Sequence, residues 1–128
     1  MAVEITLEQD VAVVHVHGRW AREDAEAALR DLAELARKHA PRATLLDLTR
    51  ARIGASVMDT HETTLVLGRL FPHTVRHAVV VRPGGLEDQL AQFGENVAVN
   101  RGIKLKLFDD LEAAMHWARE PSRAPNAQ

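Results

Sequence analysis

The apolar positions change period several times along the chain. Val3, Ile5 and Leu7 alternate with Glu4, Thr6 and Glu8, the period of two that marks a half-buried strand. The chain turns over Glu8 to Asp10 and VAVVHVHG follows at once, so the short connection predicts an antiparallel hairpin. From about Arg22 the period lengthens. Ala25, Ala28, Leu29, Leu32, Leu35 and Ala36 recur at helical spacing, and Glu26/Arg30 and Glu34/Lys38 stand four apart on the outer face. Pro41 cannot continue a helix, which places its end near His39.

ATLLDLT, from Ala43, is apolar on both faces, as a strand covered above and below requires. A second helix is expected from Ser56 to about Leu70, stopping before Pro72. RHAVVVRP reads as another covered strand. PGG then breaks the chain, and Leu86, Leu90, Phe93 and Val97 form a helical stripe that Gly102 ends. IKLKLF returns to period two, and DDLEAAMHWARE closes as a helix, with Asp109 and Glu112 at capping-box spacing. The tail 121–128, PSRAPNAQ, has two prolines and almost no apolar content and is expected to be disordered. The order β-β-α-β-α-β-α-β-α implies an α/β fold: a five-stranded mixed sheet with packed helices, its last four strands mostly parallel. Residues 1–120 read as a single domain without internal repeats.

Composition removes whole classes of function. The 128 residues suffice for one core, and the absence of cysteine excludes disulfides, thiolate zinc sites and a thiol nucleophile. A net charge of -2 and a pI near 6.4 give no basic excess for nucleic acid or an anionic membrane. MAVEITLEQD lacks the layout of a secretory signal, and charges interrupt every long apolar run. The expectation is a soluble, cytoplasmic protein with no membrane span.

Three segments carry a resemblance. LLDLTRARIGAS resembles the third strand, loop and helix start of STAS domains, the family of bacterial anti-sigma-factor antagonists and of the cytoplasmic modules of sulfate transporters. VHVHGRWAREDAEA is similar to the strand, glycine and first helix of their SpoIIAA-like relatives, and IKLKLFDDLEAAMHWARE to the closing strand and helix. The likeness covers about Val3 to Glu120 and agrees with the element order. It implies a STAS/SpoIIAA-like fold, which is also related to lipid-binding CRAL-TRIO (Sec14-type) domains.

In the antagonists switched by a kinase, a serine at this helix start is phosphorylated within D-S-S-G. Counting from Asp47, Ser56 falls at that place, which makes it the regulatory, phosphorylation candidate. The surroundings differ: Ala55 stands where the acid is expected, and Val57 and Met58 replace the small residues that follow. Ser56 and Asp59 also form S-x-x-D, the spacing of a helix cap that needs no phosphate. Both readings stay open, with the cap favoured.

His15 and His17 share one strand face, and H-x-H is a spacing that metal sites use. The competing reading is a wet sheet face shared with Glu4, Thr6, Lys104 and Lys106, which needs no metal. Asp47 reads as a strand-end residue that bonds the following loop. Arg82, Gly84 and Gly85 lie between a strand end and a helix start, where open α/β sheets bind ligands, yet no G-x-G-x-x-G or Walker sequence is present and Glu87 and Asp88 already complement the helix dipole. The second helix is apolar nearly all round its C-terminal half: Leu65, Val66, Leu67, Leu70 and Phe71 leave Gly68 and Arg69 to face water. Leu67, Leu70 and Phe71, with Arg82, Gly84 and Gly85, are therefore candidates for a ligand or partner surface, and Trp20 and Trp117 could extend it.

No acid, base and nucleophile cluster at a motif spacing. The reading is a non-enzymatic STAS-like regulatory or protein-interaction domain without a cofactor, anti-sigma-factor-antagonist-like in type. Its partner would be a protein, a regulator or kinase, or a second copy in a homodimer. The alternative is binding of a small apolar or lipid-like ligand, as a CRAL-TRIO-like carrier or sensor.

Overall fold

Gln9 and Asp10 both take positive φ, 51° and 67°, which makes the two-residue turn whose twist suits a hairpin. It joins β1 (Ala2–Glu8) to β2 (Val11–Trp20), with Glu8 opposite Val11 and Glu4 opposite His15. The computed structural model describes residues 2–54 and 56–120 and continues through α1 (Arg22–His39), β3 (Ala43–Ile53), α2 (Val57–Leu70), β4 (Arg76–Val80), α3 (Leu86–Asn100), β5 (Lys104–Phe108) and α4 (Leu111–Arg119). The expectation of a disordered tail at 121–128 falls outside the described residues, as does Ala55.

The five-stranded sheet has the order β1-β2-β3-β4-β5, antiparallel at its first pair and parallel at the other three. Each strand after β2 is added at the same advancing edge, and right-handed crossovers in one direction put every connecting helix on one face. The burial pattern agrees. Ala12, Val14, Val16 and Leu48 pack with Ala25, Ala28, Leu29 and Leu32 of α1, while Leu67 of α2 and Ala98 of α3 meet Ile103 and Leu105 on the same side. Val11, Val13, Leu45, Ala78 and Val80 turn the other way, onto Ala114 and Ala118 of α4. The central strands are apolar on both faces because both faces are covered.

Four local readings need correction or completion. The strand expected to end at Thr49 runs on to Ile53, through a bulge: His15 pairs with Asp47 but His17 pairs with Arg50, three steps on β3 against two on β2. The extra residue reverses the side-chain parity, so that Ala51 joins Leu48 in the core on the three-helix side. The last helix is capped by Asp110 rather than Asp109; its carboxylate accepts from the backbone N–H groups of Glu112 and Ala113 at 3.4 and 3.1 Å. Gly68 does not face water, because a Cβ there would overlap Ile103 Cδ1, and the absence of a side chain is what lets α2 lie against the chain entering β5. Phe71 is no surface residue either: it is 5 % exposed and sets its ring edge-on to His77 at 5.3 Å.

Candidate functional site

Three places hold the chemistry, and the first is the start of α2. Ser56 has extended backbone (φ -86°, ψ 173°) and both halves of a capping box: its Oγ accepts from Asp59 N at 3.0 Å, and Asp59 Oδ2 accepts from Ser56 N at 3.1 Å. Arg22, at the start of α1, reaches the first turns of α2 through Glu62 Oε2 at 3.0 Å and Asp59 Oδ1 at 3.8 Å, and pairs within its own helix with Glu26 Oε2 at 3.4 Å. Sequence reasoning missed this arginine, since two of its three partners, Asp59 and Glu62, lie on another helix. Beside the exposed hydroxyl stand two apolar side chains in water, Val57 at 52 % and Met58 at 63 % exposure. Leu70, at the far end of α2, is less exposed.

The second place is the open part of the α4 face. α4 packs on β3, β4 and β5, and Arg76 holds its end by donating to Trp117 O at 2.8 Å and Glu120 Oε1 at 3.1 Å. Near β1 and β2 that face keeps His17 exposed and His15 half-buried. His15 Nδ1 lies 3.0 Å from Asp47 Oδ2, and Asp47 Oδ1 accepts from Thr49 N at 3.1 Å and Thr49 Oγ1 at 2.7 Å. Burial pushes the Asp47 carboxyl up, but the bonds from Thr49 and His15 outweigh it and hold its pKa below the ordinary carboxylate value. Asp47 is thus the clamp of the β3 bulge. Among the described residues no group of three or more His, Asp or Glu could hold a metal ion, so His15 and His17 find no third ligand there.

The loop of Arg82, Gly84 and Gly85 is likewise occupied by its own groups. Gly84 (φ 84°) gives its N–H to Asp88 Oδ2 at 2.9 Å, and Arg82 Nη2 donates to Ala51 O at 3.4 Å. The amide an anion would use already serves a carboxylate.

The third place is a partly open pocket under α2. α2 packs chiefly on α3 and α1 rather than on the sheet, and the gap beneath it is a cavity of about 140 Å³. Val14, Leu46 and Val79 of the sheet form its floor, and Thr60, Thr63, Thr64 and Leu67 of α2 form its roof. The roof hydroxyls are taken up by the helix itself: Thr60 donates to Ser56 O, Thr63 to Asp59 O and Thr64 to Thr60 O, at 3.0, 2.8 and 2.8 Å. On the sheet side, Thr44 Oγ1 and His77 Nδ1 lie 2.8 Å apart. Burial lowers the His77 pKa to about 4, which leaves its imidazole neutral near pH 7. Among the described residues no buried side-chain nitrogen or oxygen lacks a hydrogen-bond partner.

Of the candidates read from sequence, Leu67 and Trp20 line this cavity, whereas Leu70, Phe71, Arg82, Gly84, Gly85 and Trp117 do not. The threonine roof was legible as a stripe, since positions 60, 63, 64 and 67 share one helical face. That it covers a pocket was not.

No family model matches the chain, and no curated protein matches it. Solved structures do. An anti-sigma factor antagonist from Mycobacterium paratuberculosis superposes with a TM-score of 0.63 at 20 % identity, over 93 % of this chain and 94 % of the other. The anti-sigma factor antagonist SpoIIAA in its unphosphorylated form gives 0.61 at 14 % identity, over 94 % and 100 %. An uncharacterised protein of the DUF3478 family with a SpoIIAA-like fold, from Shewanella loihica PV-4, gives 0.58 at 21 % identity, over 91 % and 92 %. The chain has the SpoIIAA-like STAS fold.

Proposed function

We propose that this domain is a non-enzymatic regulatory module that docks on a protein partner through the N-terminal end of α2; anti-sigma factor antagonists share its fold. One observation carries the reading. Val57 and Met58 stand in water beside the exposed Ser56, while an adjacent ion-pair cluster holds the turn in place. Isolated apolar side chains on a surface are ordinary, but two on a capped helix start, next to a modifiable hydroxyl, make a preorganised contact. Phosphate on Ser56 would meet the helix amides favourably and the Asp59 carboxylate unfavourably, so modification would alter the contact rather than leave it unchanged.

The test is quantitative affinity capture from the native cell extract with the wild-type chain and with Met58→Asp and Ser56→Asp. One protein enriched in stoichiometric amount by the wild type, absent with Met58→Asp and changed with Ser56→Asp, supports the proposal. An identical captured set for all three folded variants would sink it.

A further inference from the structure

We propose that the cavity under α2 is a binding site for one compact apolar molecule, about the size of a single aromatic ring. The volume sets the upper limit. Cavities of about 150 Å³ lined by aliphatic side chains stay dry and accept benzene, and the space here is about 140 Å³. A long acyl chain, with more than twice the carbons of a ring, does not fit. The lining sets the class of ligand. A buried water needs two to four polar partners. Here the hydroxyls of Thr60, Thr63 and Thr64 are bonded to their own helix, and Thr44 is bonded to His77. What remains toward the space is chiefly aliphatic: Val14, Leu46 and Val79 below, Leu67 above, and Leu90 and Ala91 of α3 at the side. His77 is neutral there, so no charge deters an apolar guest.

The roof also supplies a way in. Thr64 is the buried residue of α2, and its neighbours Leu65, Val66 and Leu67 are half-buried, so the helix is seated on α1 and α3 without being locked onto the sheet. The space is already partly open, so a ring can enter beside the helix.

The experiment uses the full chain with benzene as the probe, read by the thermal midpoint and by methyl NMR. Benzene is expected to raise the midpoint by a few degrees, with saturable one-to-one shifts of the Leu46 and Leu67 methyls. Ala91→Leu, which fills the space from α3, is expected to abolish the response; should it fail to fold, Leu46→Phe fills the same space from the sheet. Met58→Asp, on the outer surface, should leave the response intact, which separates this site from the partner reading. Shifts that rise linearly without saturating, or that persist in the filled variant, overturn the proposal. Displacement of benzene by palmitate overturns it equally, since the space would then be a lipid channel.

Discussion

Ser56 and His77 each have a role that a single substitution can isolate. Ser56→Ala removes the acceptor for Asp59 N and is expected to cost about 1 kcal/mol in urea unfolding. Ser56→Thr keeps an acceptor and should recover most of it. His77 acts through pH. Its folded pKa of about 4 lies below the ordinary 6.5, so between these values the unfolded chain binds more protons and stability rises with pH. The contribution is complete above about pH 6.5, falls as the pH drops, and levels off below about 4, a total of roughly 3 kcal/mol. Unfolding free energies from pH 4 to 7 should show that slope, and His77→Phe should flatten it. Asp47 shows how far a residue can be read without its neighbours. Its bond to the following segment follows from an aspartate two residues before a threonine, but the His15 partner comes from another strand and required the sheet register.

At the scale of elements, α2 is where pattern and packing diverge. The limits of α1 follow from the change of period near Arg22 and from Pro41, those of α2 from the Ser56 cap and Pro72, signals local to the sequence, and the structure places both helices where these signals put them. The environment of α2 is not local. A helix apolar nearly all round is compatible with burial on two sides, a partner surface or a ligand pocket, and its apolar side chains in fact divide among the core, a pocket and solvent. Gly68 is the sharpest case: read as water-facing, it is the point of closest approach to Ile103. In an exposed helix Gly→Ala gains about 1 kcal/mol. Here Gly68→Ala should instead destabilise, and Ile103→Val should relieve it, giving a coupling of roughly 0.5–3 kcal/mol in a double-mutant cycle. The β3 bulge escaped for the complementary reason. ATLLDLT fixes one parity and RARI the opposite one, and the slip between them reads as a strand end until the partner strand shows continuous pairing.

For the whole molecule, the β-β-α-β-α-β-α-β-α order was fully legible, since hairpin geometry and crossover handedness leave few ways to arrange it. The division of labour between faces was not. Three helices share one face and, among the described residues, α4 alone covers the central part of the other, so removing α4 uncovers Val11, Val13, Leu45 and Val80 together. A chain ending at Phe108 is expected to aggregate or to lose cooperative unfolding, as gel filtration and circular dichroism would show. The strand order has a further consequence, for synthesis. Because spatial order and chain order coincide, no strand must be threaded between two already paired. A chain leaving the ribosome can lay down its sheet in the order of translation, each new strand finding the preceding one already in place, and α4 emerges only after the strands it covers.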